Sequence, residues 1–184
     1  MTVERILKED ALNIPNLLTA LRMALLPAIV WRFRGGDEMG ALLIYLAAMM
    51  TDAADGVIAR RTNQITAIGK LMDPLADKLC LLTLLALFAA DGQIPVWLLN
   101  LVIAKEAVLV LGSAVALRFG IVVSALPIGK LTTMAFILST AARFLSLRVL
   151  ADLFLWVSLL LSFAALIWYG VVFVRKLQLR KVIV

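Results

Sequence analysis

Six apolar runs, at approximately 17–34, 39–61, 67–90, 94–119, 127–147 and 150–174, take up most of the 184-residue chain. A helix needs about 20 mostly apolar residues to cross the hydrocarbon core of a bilayer, and each run has the length of a tilted span. The breaks between runs are short and carry turn residues: Gly35-Gly36-Asp37, Arg61-Thr62-Asn63-Gln64, and Asp91-Gly92-Gln93 ahead of Pro95. Long apolar segments joined by tight turns predict an all-α integral membrane protein, a six-transmembrane-helix bundle forming a single membrane domain over residues 1–184. The 64% hydrophobic content agrees, since soluble domains hold roughly 45–50%. Residues 1–12 are charged at Glu4, Arg5, Lys8, Glu9 and Asp10 and lack the apolar core of a cleavable signal peptide. They predict a short interfacial helix with Ile6 and Leu7 turned inward.

The chain has one cysteine and no histidine, which excludes Cys/His zinc sites, Ser-His-Asp hydrolysis and His-ligated haem. Cys80 has no partner for an internal disulfide and reads as a buried packing residue. The net charge of +6 sits beside the apolar runs, so an anionic lipid surface, and not nucleic acid, is the expected partner. With the N-terminus inside, twelve Lys and Arg side chains fall on the cytoplasmic side. Four, Arg32, Arg34, Arg143 and Arg148, fall on the other, leaving aside Arg22 and Lys105 within spans. Cytoplasmic connections carry the basic excess, so both termini are expected there and a site near Arg60 opens to the cytoplasm.

Asp52, Asp55, Asp73 and Asp77 lie within apolar runs, where a charge costs about 2.5–3.5 kcal/mol at the helix centre. Four such acids repel one another unless they take up protons or hold cations, and oxygen-only ligation points to Mg²⁺ or Mn²⁺. Asp52, Asp55, Gly56, Ala59 and Arg60 share one helical face, as do Asp73 and Asp77. A reversal near Gln64 sets both acid pairs at matching depth, roughly 14–20 Å from the turn at ~1.5 Å per residue. Gly56, Ala59 and Gly69 remove bulk beside the acids and leave room for a ligand, and Arg60 suits a phosphate. The competing structural reading pairs the acids with Arg60, Lys70 and Lys78 for bundle cohesion. A second alternative, a cation transporter, shares the buried aspartates but gives Gly56, Arg60 and Gly69 no task.

The pattern Asp52-x-x-Asp55-Gly56-x-x-Ala59-Arg60, then Gly69-x-x-x-Asp73-x-x-x-Asp77, resembles the signature of the CDP-alcohol phosphotransferases, with eight positions fixed over 26 residues. Asn13-Ile14-Pro15-Asn16-Leu17, with Thr19 and Arg22, is similar to the opening of the branch that makes phosphatidylglycerophosphate or cardiolipin. The resemblance implies that Asp52, Asp55, Asp73 and Asp77 hold two divalent ions, Mg²⁺ or Mn²⁺. It implies further that Asp55, Gly56, Ala59, Arg60, Gly69 and Asp73 line a CDP pocket, and that Asp77 is the base for the acceptor hydroxyl. The implied reaction takes a phosphatidyl group from CDP-diacylglycerol to a small or lipid alcohol and releases CMP. A homodimer in a bacterial cytoplasmic membrane belongs to the same implication.

The acceptor site is read from Lys105, Arg118 and Lys130, basic residues suited to an acceptor phosphate. Lys105 and Glu106 are neighbours whose side chains leave a helix in different directions, so they are not expected to pair, and the structural alternative for Lys105 is a contact with an aspartate. In phosphatidylglycerophosphate synthases an Arg-Glu pair stands at this point, and further basic residues stand where this chain has Ser113 and Thr132. Cardiolipin-forming relatives share Asp73-Pro74-Leu75-Ala76-Asp77-Lys78 but use an Arg-Asp pair at 105–106. Glycerol 3-phosphate is the expected acceptor, with phosphatidylglycerol the alternative.

Overall fold

The computed structural model describes the backbone of residues 14–62, 67–119 and 127–183, and within these the side chains of 16–51, 75–116, 118–119 and 128–178. The segment 1–12, expected as an interfacial helix, lies outside the described residues. All regular structure described is helical: α1 (Ile14–Arg34), α2 (Glu38–Thr62), α3 (Ala67–Ala90), α4 (Val96–Arg118), α5 (Pro127–Phe144) and α6 (Arg148–Ile183). Each helix carries one of the six apolar runs, and α6 continues nine residues beyond the end of its run at 174.

Among the described residues, Asn16–Arg34, Val96–Ala116 and Arg148–Gln178 are long and apolar enough to cross a membrane. Only 33%, 22% and 17% of their apolar windows, respectively, is buried inside the chain. Side chains such as Leu17, Trp31, Leu111, Leu160 and Ile167 stand well exposed. Exposing that surface to water costs about 25 cal/mol per Å², and hydrocarbon removes the cost. The chain is an integral membrane protein with multiple spanning helices.

The helices form two compact units, Met1–Val96 and Trp97–Val184. In the first, α1 packs against both α2 and α3. Its buried side is the row Asn16, Thr19, Arg22, Leu26, Ile29 and Phe33, at spacings of three and four. Two contacts fix how α1 and α3 run. Arg22 meets Asp77 and Phe33 meets Phe88, edge to face at 5.9 Å, both with a separation of 55 residues. Two contacts at one offset, three helical turns apart, make α1 and α3 parallel. α2 folds back along α1 through a three-residue turn and so runs opposite to both.

That turn is specified atom by atom. Gly36 takes φ +82°, its amide donates to the Phe33 carbonyl at 3.0 Å, and the Asp37 amide donates to the Arg32 carbonyl at 3.0 Å. These bonds close α1 with a left-handed residue that glycine supplies without a Cβ clash. Asp37 then caps α2, its Oδ1 accepting from the Gly40 amide at 2.8 Å. A Cβ at Gly40 would collide with that capping carboxylate. Gly40→Ala is therefore expected to displace the cap and cost about 1 kcal/mol, the usual worth of an N-cap. Chemical unfolding followed by helical circular dichroism checks this, and Asp37→Ala should cost a similar amount.

The α3 terminus repeats the device, with Gly92 at φ +74° and the Gln93 amide donating to the Phe88 carbonyl at 2.9 Å. In the second unit, Ser146 plays the same part between α5 and α6 at φ 57°, and the Leu147 amide reaches the Ala142 carbonyl at 2.8 Å. Buried Ser139 donates to the Ala151 carbonyl at 2.8 Å, and buried Arg143 meets Asp152 at 2.6 Å, fastening α5 to α6 beside the turn. Trp97 lies against Trp156, Lys105 against Ser162 and Phe119 against Phe173. The partners advance together along both helices, so α4 and α6 are parallel.

Candidate active site

Asp52, Asp55, Gly56, Ala59 and Arg60 occupy the C-terminal half of α2, and Gly69, Asp73 and Asp77 the N-terminal half of α3. The side chains of residues 52–74 lie outside the described set, so of these eight only Asp77 has a described side chain. Among the described residues no group of three His, Cys, Asp or Glu side chains is gathered as a metal site.

Asp77 is held from α1. Arg22 Nη1 donates to Asp77 Oδ1 at 2.6 Å, the Arg22 side chain being 1% exposed and that of Asp77 63% exposed. A guanidinium buried in an apolar bundle needs a polar partner, because an unpaired buried charge costs several kcal/mol. The carboxylate it holds still faces outward. An exposed carboxylate from a motif whose other ionisable members are three aspartates and Arg60 offers hard oxygen ligands, which fit Mg²⁺ or Mn²⁺. Sequence reasoning missed the Arg22 contact, having set Arg22 aside as a charge within a span. Its signal was the buried polar row itself, since Asn16, Thr19 and Arg22 are 4%, 0% and 1% exposed.

The residues read as acceptor ligands belong to the second unit. Lys105 is buried, donates from Nζ to Ser162 Oγ of α6, and lies 2.6 Å from Glu106 Oε1. This corrects the expectation that Lys105 and Glu106 do not pair. Both side chains are buried, and in such surroundings bending two flexible chains together costs less than leaving an ion alone. Arg118 ends α4 and Lys130 stands in the first turn of α5, both exposed. Ser113 and Thr132, the two positions where the resemblance implied further cations, turn back on their own helices. Ser113 donates to the Val110 carbonyl at 2.8 Å and Thr132 to the Ile128 carbonyl at 2.9 Å.

The family profile of the CDP-alcohol phosphatidyltransferases matches residues 12–172, across both units and all six helices. The chain belongs to this family. Members of the CDP-alcohol phosphatidyltransferase family are divalent-cation-dependent transferases, which agrees with the donor set above. A Streptomyces coelicolor cardiolipin synthase (CMP-forming) is 35% identical over 122 residues, 63% of this chain and 57% of its own length. The CDP-diacylglycerol--glycerol-3-phosphate 3-phosphatidyltransferase of Bacillus subtilis is 32% identical over 168 residues, 79% of this chain and 87% of its own. A Rickettsia bellii protein of the latter name is 40% identical over 101 residues, 51% of this chain and 54% of its own. This CDP-alcohol phosphatidyltransferase thus stands close to both the phosphatidylglycerophosphate-forming and the cardiolipin-forming branches.

Proposed function

We propose that this protein transfers the phosphatidyl group of CDP-diacylglycerol to glycerol 3-phosphate and releases CMP, working as a single six-span membrane domain whose site opens to the cytoplasm. The observation that carries the reading is the agreement between the helix register and the aspartate motif. Counted back from Gly36 at equal rise, Asp52 and Asp55 come level with about residues 20 and 17 of α1. The 55-residue offset between α1 and α3 carries those levels to about residues 75 and 72, bracketing Asp73 and just short of Asp77. The buried row Ala41, Tyr45 and Ala48 of α2, continued at the same spacing, reaches positions 52, 55 and 59. Buried Ala76 and Cys80 of α3, continued backwards, reach 73 and 69. A profile match spanning both units supports one domain.

In this reading Asp52, Asp55, Asp73 and Asp77 hold two Mg²⁺ or Mn²⁺ ions, which when bound polarise the phosphorus and stabilise the leaving CMP. Arg60 grips the diphosphate, and Gly56, Ala59 and Gly69 leave space for the cytidine and its phosphates, with Asp55 and Asp73 at the same pocket. Asp77 receives the proton of the acceptor hydroxyl as the new P–O bond forms and the bond to CMP breaks. Lys105, whose described partners are Ser162 and Glu106, takes the acceptor phosphate in this reading, with Arg118 and Lys130 at the helix ends adding positive charge. Coverage of 87% of the Bacillus glycerol-3-phosphate transferase favours this acceptor. The likeness to the Streptomyces cardiolipin synthase keeps phosphatidylglycerol as the second reading. A homodimer completes the proposal.

Radiolabelled CDP-diacylglycerol offered with both acceptors, and mass spectrometry of the lipid formed, separates the two. Label in phosphatidylglycerophosphate is expected; label in cardiolipin alone reassigns the acceptor.

A further inference from the structure

Arg22 stands 55 residues from Asp77 in sequence, on a different helix, and is buried to 1% exposure, yet its guanidinium reaches one oxygen of a carboxylate that is itself largely exposed. Neighbours on the same face of α1, Thr19 and Asn16, are also buried polar residues. Asn and Thr at such positions commonly hydrogen-bond between packed membrane helices, but Arg22 adds a full charge that meets a motif carboxylate on α3. The pairing of one rigid, buried partner with one exposed partner is asymmetric. Arg22 is fixed by the bundle around it, and Asp77 is fixed by Arg22. A planar guanidinium holds a carboxylate in direction as well as in place, which an ammonium does not.

From this geometry we infer that Arg22 is a positioning residue: it sets the orientation of the Asp77 carboxylate for proton acceptance and for ion binding, without itself touching substrate. The inference rests on the proposed reaction for Asp77, and it assigns α1 a share in a site that the aspartate motif places on α2 and α3 alone. A group that orients a ligand to a metal typically changes metal affinity or activity by about 10–100-fold when altered. A misplacement of about 1 Å at a reacting group costs on the order of 100-fold in rate.

The test uses the full-length protein in detergent with Arg22→Lys and, as a variant that retains a donor without charge, Arg22→Gln. Two readouts are taken on the folded, monodisperse fraction: kcat and KM for CDP-diacylglycerol, and the affinity for Mn²⁺ alone by electron paramagnetic resonance. Both variants are expected to lose about tenfold or more in kcat with KM within twofold. Mn²⁺ affinity should fall about tenfold, and adding either change to Asp77→Asn should weaken Mn²⁺ no further, since the effect passes through Asp77. A role confined to stability would lower the unfolding midpoint and leave both readouts alone. If either kcat or Mn²⁺ affinity stays within twofold in both variants, or if the Mn²⁺ effects add fully to that of Asp77→Asn, the positioning role is overturned. Absence of CMP from the unsubstituted protein would instead defeat the proposed reaction, and the Mn²⁺ cycle would then decide Arg22 by itself.

Discussion

Replacing Asp77 with Asn is expected to lower phosphatidyl transfer by about 10²–10⁴-fold, the usual contribution of a positioned general base, while CDP-diacylglycerol binding changes little. The amide has no basicity to take the acceptor proton, and it is a poorer ligand for a divalent ion. Its carbonyl oxygen still accepts a hydrogen bond from Arg22, whose Nη1 lies 2.6 Å from the present carboxylate oxygen, so the fold should survive. Single-turnover kinetics with equilibrium binding of the CDP-lipid separates the two effects. Full turnover by the variant would remove Asp77 from the base role.

Glu106→Ala is expected to produce the largest loss of stability, about 3–5 kcal/mol, because it strips an anion from a buried ammonium. The Lys105 side chain is 7% exposed, and after the change Ser162 would be its remaining described partner. Lys105→Met should be milder, since the apolar chain fills a similar volume without a charge to solvate. The double variant Lys105→Met/Glu106→Ala should lose less than the two single changes summed, by about 0.5–3 kcal/mol, the range for residues in direct contact. Denaturant unfolding in detergent followed by circular dichroism measures all three. An effect of Glu106→Ala below about 0.5 kcal/mol would show that the pair is solvated and not structural.

How much of this was readable beforehand depends on which physical signal each element carries. The helices were legible because apolar runs near 20 residues are long, and because Gly36 and Gly92 announce left-handed helix ends. The α5–α6 turn was harder to place. It uses the same hydrogen bonds but puts Ser146 in the left-handed position, so no glycine marks it, and the break falls three residues earlier than the apolar run suggested. The motif aspartates stood out in the sequence because an acid in an apolar span has few explanations, and the side chains of Asp52, Asp55 and Asp73 lie outside the described residues. Arg22 was not, because the row Asn16, Thr19 and Arg22 was read only as a family resemblance and not as a polar face, and its partner lies two helices away in the chain. The Lys105–Glu106 pair was misjudged because helix-surface geometry was applied to side chains that are buried, where electrostatics outweighs rotamer preference.

If acids from α2 and α3 jointly hold divalent ions, transfer from a CDP-activated lipid stops when those ions are removed. CMP released from CDP-diacylglycerol by the purified protein, supplied with both acceptors and titrated with Mg²⁺ and then EDTA, tests it most directly. CMP is expected in equal amount to the new lipid, with dependence on the added ion and loss of the signal for an Asn at any of positions 52, 55, 73 or 77. CMP release that persists in EDTA, or that withstands all four replacements, would contradict it.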